Sequence, residues 1–152
     1  MSFLDERIIV RLIAAFVIGG LIGLNRELHG KPAGFRTHAL VCLGAAGATL
    51  AALYSPSGTL ADPNATSRVA QGILTGIGFL GAGVILHDPP GHVSGLTTAA
   101  TVWIAAVIGF VAGVGSWCIL LFVFLLTGVA LVFGGRLEKI SEKIFKKMPP
   151  SS

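Results

Sequence analysis

From Val69 to Leu86 the chain reads VAQGILTGIGFLGAGVIL, an apolar run with no charged side chain and with glycine at positions 72, 76, 78, 81 and 83. Uncharged runs of about 18 residues have the length of a membrane span. In water each of these glycines would cost a helix roughly 1 kcal/mol relative to alanine. In a bilayer they let a second helix approach closely, or let a helix break where it lines a cavity. The segment reads as a span whose composition is set by what packs against it or passes beside it.

The rest of the chain agrees. Of its 152 residues 53% are hydrophobic and 12% charged, about half the charge of an ordinary soluble domain. Such a chain cannot cover a water-facing surface. Its apolar stretches are continuous rather than alternating, which excludes a transmembrane barrel. The fold class is all-α: a polytopic membrane bundle of five helices with a C-terminal amphipathic helix. The spans are expected near Ile8–Leu24, Thr37–Tyr54, Val69–Leu86, Gly95–Gly113 and Trp117–Phe133. Residues 1–135 form the transmembrane domain and 136–152 a basic amphipathic tail. The opening MSFLDERIIVRL lacks a clean basic leader and a small-residue cleavage site, so the first run is expected to stay as a helix.

Span five, WCILLFVFLLTGVALVF, is Leu/Phe/Val-rich nearly all round and suits the lipid-facing outside. Spans two, three and four are rich in Gly, Ala and Thr, the residues of helix–helix contacts. They are expected to build the interior, helped by the Gly19-xxx-Gly23 edge of span one. In the tail, Leu137, Ile140, Ile144 and Met148 share one helical stripe with Phe145 beside it, which fits a separate helix lying on the membrane surface. A frayed basic tail that only fixes orientation is the alternative.

The net charge of +4 does not point to nucleic acid, because no aromatic-plus-basic surface accompanies it. Lysine and arginine sit mostly at the ends of apolar runs. One side of the membrane would hold Arg26, Lys31, Arg36 and the five basic residues of the tail, eight in all, against Arg7, Arg11 and Arg68 on the other. The positive-inside rule then places the C-terminus in the cytoplasm and the N-terminus outside. The same residues suit contact with the bilayer's anionic lipids. Cys42 and Cys118 fall near opposite ends of their spans, so no disulfide between them is expected. Arg11, about one turn inside span one, is expected to snorkel to the outer surface.

Gly76-Ile77-Gly78-Phe79-Leu80-Gly81 matches the glycine pattern of a dinucleotide loop. It lies inside a span and lacks the acidic residue that such a loop requires further on. Glycine for close packing, or a broken helix whose freed backbone groups meet a substrate, are the remaining readings. Gly72, Thr75, Gly76, Gly78, Gly81 and Gly83 are therefore candidates for helix packing or a pathway. The densest polar chemistry lies elsewhere. Asn25, Arg26 and Glu27 end span one, and Arg36, Thr37 and His38 open span two. Across a second loop, His87–Ser94, Thr97 and Thr98 open span four, where Ser94 is placed to cap. Arg26, Arg36 and that helix start could hold an anion at a polar vestibule. These eight residues, Asn25 to His38 with Thr97 and Thr98, are the candidates for binding a ligand or partner. No catalytic constellation is visible, no cofactor is expected, and the four histidines lack metal-ligand spacing, which leaves the metal question open.

The stretches IGLNRE (Ile22–Glu27), AGFRTHALVCLGA (Ala33–Ala45), GIGFLGAGVI (Gly76–Ile85) and GLTTAATVWIAAVIG (Gly95–Gly109) closely resemble the MgtC/SapB family of bacterial membrane proteins. The resemblance covers roughly Ile13 to Gly115. Asn25 departs from it, because the family often has an acidic residue just before the arginine matching Arg26; that role would pass to Glu27. Longer members carry a soluble C-terminal domain, so this chain resembles a short, membrane-only member. The resemblance implies a bacterial inner-membrane protein linked to growth in low magnesium and, in some pathogens, to survival inside macrophages. It also implies regulation of an F-type ATP synthase.

Two functions are in view. Magnesium is reluctant to dehydrate and normally takes carboxylate oxygens, and the interior of these spans holds no Asp or Glu. A transporter or channel for magnesium or another small solute would have to pass a hydrated ion along Thr, Gln and backbone groups. The favoured reading is a binding module that regulates another membrane protein, such as an ATP synthase subunit, in magnesium homeostasis. The same glycines suit a homodimer.

Overall fold

The computed structural model describes residues 3–54, 63–85 and 94–145, with the backbone alone described at 3–5, 63 and 136–145. Five helices follow one another: α1 (Phe3–Leu28), α2 (Phe35–Leu53), α3 (Pro63–Ile85), α4 (Leu96–Val114) and α5 (Trp117–Phe145). All five are long and apolar enough to cross a membrane. The expected order and number of spans hold, and each helix starts or ends within a few residues of its expected span except at α3, which starts at Pro63 rather than Val69, and at two further places.

The first of these is the start of α1, which begins at Phe3. The second is the end of α5. The tail was expected as a separate helix on the membrane surface. Instead α5 runs without a break through Gly134 and Gly135 to Phe145, 29 residues in all. Glycine permits a bend but does not impose one, and no proline stands before Pro149 to stop the helix. Most of the loop from His87 to Ser94, and the chain beyond Phe145, lie outside the described residues.

The core is built by α1, α2 and α4, with Leu120 contributed by α5. Its fully buried members are Ala15, Ile22, Cys42, Ala46, Ile108, Ala112 and Leu120. Small residues bring the backbones together. A Cβ on Gly19 would stand 2.6 Å from Cys42 Cβ and 2.7 Å from the His38 carbonyl oxygen, and one on Gly23 2.5 Å from the Gly34 oxygen. On the other side of α2, a Cβ on Gly113 would stand 2.9 Å from the Ala46 oxygen, and one on Gly109 would run into the Cys42 carbonyl. Two G-xxx-G edges, one on α1 and one on α4, thus clasp α2 from both flanks.

Helix α3 is not part of this interior, contrary to expectation. None of its described residues is buried, whereas α4 buries nine. It touches α4 and α2 along one stripe of half-buried residues: Thr66, Ala70, Ile73, Ile77, Gly81 and Val84. It is also unbroken over its 23 residues, about 34 Å at the α-helical rise, so it can cross a bilayer without a hinge. Helix α5 is peripheral as well, with Phe122, Leu126, Val129 and Phe133 exposed.

Helices α1 and α4 run antiparallel, pinned at both ends by arginine. Arg26 of α1 donates to the Thr98 hydroxyl of α4. Fifteen residues earlier in α1, Arg11 donates to the Gly113 carbonyl, fifteen residues later in α4, at 2.9 Å. Arg11 was expected to snorkel to the outer surface; this contact gives it a partner on α4 as well. The carbonyls at a helix C-terminus lack partners and carry partial negative charge, so a guanidinium is held there. Gly115 makes the room: its φ is +85, and a Cβ on it would meet the Arg11 guanidinium at 2.6 Å.

Candidate functional site

The polar residues singled out in the sequence gather at one end of the bundle, where α1 ends and α2 and α4 begin. Helix α1 closes in a Schellman turn. The Gly30 N–H reaches the Glu27 oxygen at 3.0 Å and the Lys31 N–H reaches the Arg26 oxygen at 3.0 Å, with Gly30 left-handed at φ +63, as this turn requires. The chain then reverses through Ala33, at φ 58, into α2. Gly34, at the N-cap of α2, has no side chain to cap it. Glu27 does so from α1, accepting the Phe35 N–H at 3.0 Å. The carboxylate is thus committed to the positive end of α2.

Arg26 is 5% exposed. One terminal nitrogen meets Thr98 in the first turn of α4, and its Nε has no hydrogen-bond partner. His38, fully buried, donates from Nδ1 to the Gly34 carbonyl at 3.1 Å, since a carbonyl only accepts. Its Nε2 is then a bare lone pair, and it too has no partner. The two unsatisfied atoms are complementary, one a donor and one an acceptor. Buried polar atoms left unpaired are costly, so this cluster is the chemically least settled spot in the bundle. Thr98 is tied in further, because its carbonyl accepts from the Thr101 hydroxyl at 2.8 Å.

The other candidates fall into two groups. Arg36 and Thr37 are exposed and line an open hollow of about 640 Å³ with Leu24, Glu27, Lys31, Gly34 and Phe35. Arg26 does not line it, so the structure does not bring Arg26 and Arg36 together in one vestibule. Asn25 is half-buried, with its carbonyl accepting from His29 Nδ1 at 2.7 Å, and Thr97 is exposed. The N-cap position of α4 is held by Gly95, at φ +84 with no side-chain cap of its own. Its missing Cβ leaves room for the Val84 carbonyl of α3, 2.9 Å from where that Cβ would be.

On α3 the pathway and packing candidates point away from the bundle. Gln71, Gly72, Thr75, Gly76, Gly78 and Gly83 are exposed. A Cβ added at Gly72, Gly76, Gly78 or Gly83 would meet nothing within 4 Å, and one at Gly81 would meet Ala99 at 3.6 Å. Among the described residues no group of three or more His, Cys, Asp or Glu gathers that could hold a metal ion. Cys42 is buried and Cys118 exposed, both as free thiols. The clasp by Gly109 and Gly113 and the Arg11–Gly113 bond were not anticipated. Their signal was there in the Gly109-xxx-Gly113 spacing.

An all-helical bundle of five apolar spans, with its buried charge drawn to helix ends, is an integral membrane protein. The chain matches the MgtC family over residues 12–140, and it belongs to that family. It is 42% identical over 139 residues to protein SrpB of Synechococcus elongatus, covering 86% of this chain and 76% of that one. It is 43% identical over 109 residues to protein MgtC of Salmonella typhimurium, covering 72% and 44%. With YhiD of Escherichia coli, a candidate magnesium transporter by its name, it shares 42% identity over 115 residues, covering 72% and 52%. The chain thus spans about half the length of the latter two. No solved structure matches it.

Proposed function

We propose that this protein is a binding module of the bacterial inner membrane that regulates another membrane protein in magnesium homeostasis, docking through the outward face of α3. The observation that carries this reading is the composition of that face. A helix turned toward lipid should present large apolar side chains, as α5 does. Helix α3 instead sets small and polar residues, Gln71, Gly72, Thr75, Gly76 and Gly78, around the exposed Phe79, and a Cβ on any of these three glycines would meet nothing within 4 Å. Small residues favour close helix approach, and polar groups in a bilayer gain from an interhelical partner. An F-type ATP synthase subunit, implied by the family resemblance, or a second copy of the chain are the occupants to try. In the proposed orientation the Arg26 end faces the cytoplasm, with the N-terminus outside.

The name of the Escherichia coli relative favours a second reading, transport of magnesium. Against it, the one carboxylate near Arg26 among the described residues, Glu27, is engaged by the N-terminus of α2. Magnesium flux into liposomes holding the purified protein separates the two, measured beside an Arg26→Ala/Glu27→Ala variant. Saturable flux lost in the variant refutes the regulator. Absence of flux, with a membrane partner that co-purifies with the wild type and not with a Gly76→Leu variant, refutes the transporter.

A further inference from the structure

The hollow beside α1 and α2 has the make-up of a lipid site, independently of what docks on α3. Two cations flank it, Lys31 from the loop and Arg36 from the first turn of α2, and both are exposed. Glu27, the acid among its lining residues, is taken up by the Phe35 N–H. Lys31 and Arg36 together outweigh that acid, so the hollow carries net positive charge. Its inner wall is apolar, formed by Leu24 and Phe35. That wall continues along α1 as one exposed stripe, Val17, Leu21, Leu24 and Leu28, each 42% exposed or more. Phe16 meets Phe35 edge to face with ring centroids 5.8 Å apart, which holds the Phe35 ring against α1.

The depth is also right. Helix α1 ends at Leu28 and α2 begins at Phe35, so Lys31 and Arg36 stand where two apolar spans meet water. That is the level of lipid phosphates. A free anion would be served by the cations alone and would leave the apolar stripe unexplained. A choline or ethanolamine headgroup would place its ammonium against two cations. We propose that the hollow seats one anionic phospholipid, its phosphate between Lys31 and Arg36 and one acyl chain along Val17, Leu21 and Leu24.

The test uses purified protein in neutral detergent, titrated with phosphatidylglycerol, phosphatidylcholine or inorganic phosphate. Native mass spectrometry reads binding and thermal denaturation reads stabilisation. The wild type should bind phosphatidylglycerol in preference to phosphatidylcholine, with a matching rise in melting temperature. Lys31→Gln/Arg36→Gln should weaken that binding roughly thirtyfold, from the usual contribution of two basic groups near an anionic lipid. Its melting temperature in phosphatidylcholine should be unchanged, because both side chains are exposed. Should the double variant fail to fold, the single variants carry the reading, each with a roughly fivefold loss. Equal binding of the two lipids overturns the proposal. So does stabilisation by inorganic phosphate to the same extent, which would make the ligand a free anion. So does full phosphatidylglycerol binding by the double variant with loss on changing Lys139, Lys143, Lys146 and Lys147 to Gln, which would move the site to the tail.

Discussion

The chain carries three G-xxx-G pairs on three helices, and they do two different jobs. Gly19/Gly23 on α1 and Gly109/Gly113 on α4 are buried, and each stands against the backbone or Cβ of α2. Gly72/Gly76 on α3 is exposed and stands against nothing. The local spacing is the same, so it cannot be what separates them. What differs is the register of neighbouring residues. On α4 the glycines share a face with Ala105, Ala106 and Ala112, all buried. On α3 they share a half with Gln71 and Thr75, opposite the Ile73/Ile77 stripe that touches the bundle. One face closes the fold, and the other remains for something outside it.

The sharpest way to break that contrast is to fill one glycine of each kind. Gly109→Leu would drive a branched side chain into the Cys42 carbonyl and the Ala45 side chain. Backbone cannot rotate aside as a side chain can, so even Gly109→Ala should cost about 3 kcal/mol, the upper end for overpacking. Gly109→Leu should yield no monodisperse protein. Size-exclusion chromatography and thermal denaturation of the purified variants read both. If Gly109→Ala melts like the wild type, α2 and α4 are not in the close contact described.

The Arg26 and Arg11 pins come next in size, and they part in sign. Arg11→Met removes a cation from a helix C-terminus and should cost about 1 kcal/mol. Arg26 sits at the positive end of α4 with an unpaired Nε, which is an expensive place for a charge. Replacing such a buried charge with an apolar side chain of like volume is often neutral or stabilising. Arg26→Met should therefore melt at or above the wild-type temperature while failing to complement a deletion strain in low magnesium. A stable variant that still complements would make Arg26 dispensable and remove the cluster from consideration as a site.

These pins also show what was legible in the sequence. Span number, order and the polar loop after α1 follow from runs of apolar residues and from where charge interrupts them, because a bilayer enforces both. The pairing of helices does not follow. Gly, Ala and Thr mark a helix that packs, but they do not say against what, and α3 carries more of them on its open side than toward its neighbours. The expected anion vestibule is divided for a similar reason: Arg26 reaches the start of α4, and Arg36 lies apart from them. Arg26 and Arg36 are ten residues apart on either side of a tight reversal. Arg26 turns inward to Thr98 while Arg36 faces the hollow, and only the handedness of that turn decides this. The role of Glu27 was likewise hidden, since capping α2 from α1 depends on the loop geometry between them.

That cap gives an effect of the same order as the Arg11 pin. Glu27→Ala leaves the first turn of α2 with neither a carboxylate nor an N-cap side chain, because Gly34 supplies none. Loss of a helix cap typically costs about 1 kcal/mol. Glu27→Gln keeps an acceptor for the Phe35 N–H without the charge, and should cost about half as much. Thermal denaturation of the two variants side by side measures this. Equal losses would assign the whole effect to charge at the helix end rather than to the hydrogen bond.

The smallest effect on stability is expected on α3, and there it is most informative. Gly76→Leu adds a side chain where no atom lies within 4 Å, so the isolated protein should melt within about 0.5 kcal/mol of the wild type. In membranes the same substitution should disrupt whatever covers α3. Gly76→Cys, made with Cys118→Ser so that the buried Cys42 is the only other thiol, reports the occupant directly. Oxidation in native membranes should cross-link two chains if the face is self-complementary. A second copy would set Gln71 near its own equivalent, where an amide can both donate and accept. A cross-link to a different membrane protein identifies a regulated partner. If Gly76→Leu instead lowers the melting temperature as far as Gly109→Ala does, α3 is covered within the chain, and the division between closed and open glycine faces falls.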